Sequence, residues 1–303
     1  MRLPSRASSA LAVLAVSAFA GACVRPGDEA VERDDGRRMP GSEFLAQQAP
    51  PGAPPRVQRP TPADMDDGVL RLPPSDEPPG RNAFYWTRAV YSGDRGRGWW
   101  RGGPPAWATD FPKGDRQFLV VLKRLVRLDA YDWENAVSLA DPRLRRFPMI
   151  YAVEVGYMDL TPEEVTGLRN YLDAGGMLVV DDFWGSRQWA QFEVNMRRVL
   201  PGRPIVDIPL DHPLFSTFYD IDEIKQVPAR GRGIRGRPTF EEDGYFPYVR
   251  AILDDRGEIM VLINWNTDLG DAWEWAEDPM YPLEYSTYAY EMGANMIVYG
   301  MSH

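Results

Sequence analysis

The chain is 303 residues long, with a formal net charge of −10, two histidines and one cysteine. A single cysteine excludes an intrachain disulfide, so stability must come from an apolar core, and two histidines leave no three-histidine zinc site. The acidic balance argues against nucleic acid or anionic headgroups as partners, since both want basic patches.

Arg2 and Arg6 precede an apolar stretch at 10–20. It is too short to span a bilayer, which needs about 18 or more residues, so residues 1–22 read as a signal peptide. Ala20-Gly21-Ala22-Cys23 resembles a bacterial lipobox, with Ala20 where leucine is usual. That pattern predicts cleavage before Cys23, lipidation of its thiol, and a membrane anchor on the periplasmic side of the envelope. An ordinary signal peptide cut nearby is the alternative; it would leave the protein secreted or periplasmic with a free thiol, a liability in an oxidising compartment.

Residues 23–81 hold 12 of the 28 prolines and show no sustained apolar periodicity. Such a segment cannot bury enough surface to offset chain entropy and is expected to be a disordered tether, or else a partner-binding stretch. Order is expected from 82 to 303. The aromatic run 84–91 predicts a strand, and 92–112 a long loop rich in glycine, tryptophan, arginine and proline. Asp115 is expected to cap a helix carrying Phe118, Leu122, Leu125 and Val126 at helical spacing.

Short buried strands are expected at 136–140 and 149–154. Thr161-Pro162-Glu163-Glu164 opens a helix that Gly175-Gly176 closes. The apolar run 177–180 predicts a strand covered on both faces, and Ser186 is expected to cap the helix that follows. Further strands are expected at 204–208, 248–253 and 258–265, the last two as a hairpin or adjacent pair, with a final helix over 286–298. Alternating strands and helices imply an α/β domain of three layers around a mostly parallel sheet.

Ligands bind outside the carboxyl ends of the strands in such sheets, which directs attention to Asp181-Asp182-Phe183-Trp184-Gly185. Adjacent residues on a strand point to opposite faces, so Asp181 and Asp182 need not act as a pair; one could instead satisfy backbone donors or an arginine. Asp211-His212-Pro213, followed by Asp222-Glu223, is a second cluster. Its histidine is either an acid–base or ligand group or a turn residue bonded to the backbone. The segment 264–271 places Asn264, Asn266 and Asp268 at alternate positions but lacks the spacing and closing glutamate of a calcium loop; it reads as a polar loop at a strand end. Trp99, Trp100 and Asp110 add aromatic and acidic groups in the 95–110 loop, a mixture that suits polyhydroxy ligands and also builds ordinary loop cores.

The segments GRGWW, WATDFPKGDRQFL, LRNYLDAGGMLVVDDFWG, DHPLFSTFYDIDEIKQVP, NWNTDLGDAWEW and YEMGANMIVYGMSH occur in this order. Together they resemble the bacterial DUF4159 family from about Phe84 to His303. That family is similar, more distantly, to the class I glutamine amidotransferase-like fold and its ThuA-like branch. The resemblance implies an amidotransferase-like or flavodoxin-like sheet, with Asp181-Asp182 at the nucleophile elbow and Asp211-His212-Pro213 on a recurring DHP segment. The amidotransferase cysteine is absent at the elbow, so thioester chemistry on glutamine is not implied.

Two expectations follow. In one, an envelope-anchored lipoprotein binds a polar ligand, carbohydrate among the candidates, or an envelope protein, without turnover. Its ligand contacts would come from Trp99, Trp100, Asp110, Phe183, Trp184, Asp211, Asp222, Asn264, Asn266 and Asp268. In the other, a hydrolase or isomerase uses Asp181 or Asp182 with His212 or Glu223 as acid–base partners. No cofactor is called for and no metal ligand is assigned, although a divalent metal is compatible with the carboxylates.

Overall fold

Seven strands form one mixed sheet in the order β2-β1-β3-β4-β7-β6-β5. The computed structural model describes residues 84–93, 104–131, 134–234 and 236–302. The leader, Cys23, the tether and the Trp99-Trp100 pair lie outside the described residues.

The strands are β1 (Thr87–Val90), β2 (Asn135–Ser138), β3 (Met149–Val153), β4 (Met177–Asp181), β5 (Ile205–Asp207), β6 (Tyr248–Leu253) and β7 (Ile259–Trp265). β2, β1, β3, β4 and β7 run parallel, whereas β6 and β5 complete one side antiparallel. The expected hairpin is the β6–β7 pair. The chain steps outward from β1 to β2, then returns past β1 to β3, so the strand order reverses between β1 and β3. In open α/β sheets that reversal marks where a crevice forms.

Helices α1 (Lys113–Leu125), α4 (Leu269–Glu274) and α5 (Leu283–Ser302) cover one face, and α2 (Pro162–Leu172) and α3 (Gly185–Val199) cover the other. Alternation along β3 serves both layers. Tyr151 and Val153 pack with Phe118, Trp273 and Met292, while Ile150 and Ala152 pack with Leu168, Phe192 and Met196. Every residue of β3 and β4 is buried, as continuous apolar runs require.

Local signals account for some helix starts and not others. Thr161 and Glu164 form the expected capping box on α2, each side chain bonded to the other's backbone N–H. Asp115 does not cap α1: Pro112 holds that position. The Asp115 carboxylate turns inward instead and accepts from Trp86 Nε1 at 2.8 Å and from Arg88. Ser186 does not cap α3 either. It lies inside the helix, and Asp243 from a distant connection accepts from its N–H and its hydroxyl, both at 2.7 Å. Gly185 opens α3 with φ +68°, and a Cβ there would lie 2.1 Å from Asp243 Oδ1, so only glycine fits.

Candidate functional site

Three neighbouring parallel strands end in the same unusual way. The residues just past β3, β4 and β7 are Glu154 (φ 54°), Asp182 (φ 49°) and Asn266 (φ 61°), all left-handed. Asp110, in the connection between β1 and α1, shares the conformation at φ 61°. Side chains other than glycine seldom adopt it, Asn and Asp most readily, and such strain concentrates where a structure must aim particular groups. The bends are cross-braced: Glu154 N–H donates to the Asp182 carbonyl at 3.0 Å and Asp182 N–H to the Thr267 carbonyl at 3.1 Å.

These bends gather carboxylates. Asp110, Asp182 and Asp268 each place an oxygen within 4.8 Å of the other two, and Asp110, Asp271 and Glu274 form a second such group. Asp110 belongs to both. Asp268 caps α4, its Oδ1 accepting from Asp271 N–H at 2.8 Å. The helix then projects Asp271 and Glu274, three residues apart, from one side. Gly270 makes room for this, because a Cβ there would lie 2.7 Å from Asp110 Oδ2.

The two adjacent acids of β4 part company. Asp181 Oδ2 accepts from Tyr151 OH at 2.7 Å and from the N–H groups of Leu269 and Gly270 at 2.8 and 3.2 Å, tying β4 to the start of α4. Asp182 turns toward the crest, with Oδ1 accepting from Trp184 Nε1 at 3.0 Å.

Burial pushes the carboxyls of Asp110, Asp182, Asp268 and Glu154 well above the usual range, and neighbouring carboxylates push them further. Asp271 and Glu274 are raised for the same first reason. Asp181 is pushed up to about 7 by burial, against the pull of its hydrogen bonds. Two carboxylate oxygens, Asp110 Oδ2 and Asp181 Oδ1, are buried without any hydrogen bond. Buried polar atoms are seldom left so. A set of hard oxygen donors with excess negative charge is the chemistry that suits Mg²⁺, Ca²⁺ or Mn²⁺, so these acidic clusters could coordinate a metal or a cationic ligand.

A cleft of about 410 Å³ opens on the second group. Asp271 and Glu274 line it together with Arg230, Arg232, Trp275 and Asp278. Trp275 Nε1 donates to Asp271 Oδ1 at 3.0 Å. Lys113 Nζ and Arg230 Cζ lie 3.6 and 3.9 Å from the Trp275 ring centre.

The residues singled out from sequence separate into several places. Asp110, Asp182 and Asp268 converge, and Trp184 joins them through its indole N–H. Phe183 is buried in the α3-side core against Phe192. Asn264 faces Met296 of α5, and Asn266 braces Gly185 N–H and the Phe246 carbonyl.

His212 is not brought to Asp182. Its Nδ1 accepts from Leu214 N–H, and its ring is 5.7 Å from that of Tyr299, whose hydroxyl reaches Glu258 just before β7 begins. That is the opposite end of the sheet. Asp211 and Asp222 are exposed, as is Glu223, which pairs with Lys225 at 3.0 Å.

Glu154 closes a predicted strand and Glu274 lies beyond the 264–271 segment, so neither stands out in the sequence; Asp271 ends that segment, which reads as a loop whereas 269–274 is helical. The available signal is local: Asp268, Asp271 and Glu274 form a capping aspartate followed by acids at helical spacing.

Among the described residues no helix is long and apolar enough to cross a membrane. The profile of a domain of unknown function, DUF4159, matches residues 100–301. No curated protein matches the chain.

Proposed function

The chain belongs to the DUF4159 family, and we propose that its α/β domain binds a divalent cation at the carboxylates around Asp110 and uses it to hold a polar ligand at the strand ends. The observation that carries this reading is the position of Asp110. It is common to both carboxylate groups, and its Oδ2 is buried with no hydrogen-bond donor. Carboxyls this close raise one another's proton affinity, and a bound dication would offset two of the negative charges gathered there.

We further propose that the domain works outside the cytoplasm, held by a lipid on Cys23 through the tether 23–81. The support is the leader and its small-residue run into Cys23. The strand order β2-β1-β3-β4 supports reading the sheet as doubly wound, in the manner of flavodoxin-like and amidotransferase-like folds. Partners on this reading are a soluble polar ligand, glycans included, or an envelope protein.

Elemental analysis of the purified chain, followed by calorimetric titration with Mn²⁺, Mg²⁺ and Ca²⁺, tests the cation. Stoichiometric binding with a rise in melting temperature is the expected result. A chain that retains no metal and melts unchanged in excess of all three ions would refute the reading. For the anchor, Cys23→Ser should move the protein from the membrane fraction to the soluble fraction.

A second reading, hydrolysis or isomerisation of the ligand, is favoured by one observation: Asp181 and Asp182 are adjacent buried carboxyls in environments that differ in hydrogen bonding. On this reading Asp182→Asn abolishes turnover, beyond any weakening of metal binding that saturating metal restores, and His212→Ala changes nothing.

A further inference from the structure

We infer that the cleft beside Trp275 receives a phosphoryl group of a small ligand, and that it holds it tightly when a divalent cation occupies the Asp110–Asp271–Glu274 end. This rests on the cation reading above and adds the ligand class.

The charged residues lining the cleft are Arg230, Arg232, Asp271, Glu274 and Asp278. Two arginines, with Lys113 reaching Glu274 at 3.7 Å, balance three carboxylates, and a dication at Asp271 and Glu274 makes the cleft net positive. An anion is therefore held weakly by the metal-free cleft and attracted to the loaded one. Carboxylate-held Mg²⁺ completes its shell with water and substrate phosphates, and an arginine fork matches phosphate oxygens on the other side.

Trp275 bears on the ligand class as well. Lys113 Nζ and Arg230 Cζ lie 3.6 and 3.9 Å from its ring centre, so the indole holds two positive charges at the cleft. The Arg230 side chain is about half exposed and bonded to Asp278 at the rim, while Arg232 is tied to Glu241 at 2.8 Å. Arg230, the more exposed of the two, would exchange its Asp278 contact for a ligand.

The test is calorimetric titration of inorganic phosphate into the full chain, with and without saturating Mg²⁺, for wild type, Arg230→Gln and Arg230→Lys. Mn²⁺ binding followed by electron paramagnetic resonance reports the metal separately. The expected result is phosphate binding that weakens about tenfold or more on removing Mg²⁺ and again in Arg230→Gln, with Arg230→Lys between and Mn²⁺ binding intact in both variants. Phosphate binding that ignores Mg²⁺ or is equal in Arg230→Gln overturns the inference and leaves the cation reading standing. Absence of phosphate binding to a chain that does bind Mn²⁺ overturns it equally. No Mn²⁺ binding at all removes both.

Discussion

Arg88 directs its Nε and Nη2 to the carboxylate of Asp115, so the one buried cation among the described residues is neutralised before it can serve the crest. Its remaining nitrogen, Nη1, donates to the carbonyls of Trp107 and Thr109 at 3.3 and 3.0 Å, which fixes the turn that delivers Asp110. The guanidinium therefore aims an acid while offsetting only part of its charge.

Breaking this pair should be costly. Arg88→Met leaves Asp115 charged and buried, and is expected to destabilise the domain by about 3–5 kcal/mol. Urea unfolding measures the loss. The double change Arg88→Met with Asp115→Leu should recover much of it, whereas metal affinity should stay low because the 107–109 carbonyls remain untethered. Full recovery of metal binding in the double variant would show that Arg88 does not position Asp110.

Asp110→Asn should have opposite effects on affinity and stability. Losing the carboxylate common to both groups is expected to weaken Mn²⁺ binding on the order of 100-fold. The metal-free protein at pH 8 should gain about 1 kcal/mol, since a buried charge without a partner has been removed. Calorimetry and urea unfolding on the same samples read the two effects.

Stability should depend on pH in a defined direction. The crest carboxyls titrate near 4 when unfolded and higher when folded, with Asp181 at about 7. Between those values the native state holds more protons than the unfolded chain, so stability falls as pH rises. The metal-free domain should melt higher at pH 5.5 than at pH 8. Saturating Mn²⁺ should narrow or abolish that difference, and a melting temperature that rises from pH 5.5 to pH 8 without metal would contradict the assignment.

Gly270→Ala probes the cradle. The new Cβ would sit 2.7 Å from Asp110 Oδ2 and 3.5 Å from Asp268 Oδ1, so one or both carboxylates must shift. Metal affinity should fall about tenfold while the far-ultraviolet circular dichroism spectrum stays unchanged. The control is Thr161→Ala, which removes a capping bond far from the crest and should cost about 1 kcal/mol with no effect on metal.

How much of this was legible in the sequence follows the distance over which each interaction acts. The Thr161–Glu164 capping box and the turn between β6 and β7 are local, and the sequence alone predicts them. Aspartate and serine favour helix caps, so the same local rule points Asp115 and Ser186 to that position. Their actual partners, Arg88 and Asp243, come from remote segments that no local pattern reveals. Asp110, Asp182 and Asp268 stood out individually, but only the parallel arrangement of β3, β4 and β7 brings such residues together. His212 drew attention through scarcity, and scarcity carries no spatial information.

The left-handed turns at Glu154, Asp182 and Asn266 have a practical corollary. Glycine or asparagine can occupy those backbone shapes without penalty, whereas valine, isoleucine or threonine cannot. An investigator can thus subtract the acidic groups of Glu154 and Asp182 singly or together with the backbone turns kept, asparagine at 182 retaining an oxygen for the Trp184 indole N–H. Few buried clusters lend themselves to such editing, because elsewhere the residue that bears the function usually also holds up the architecture.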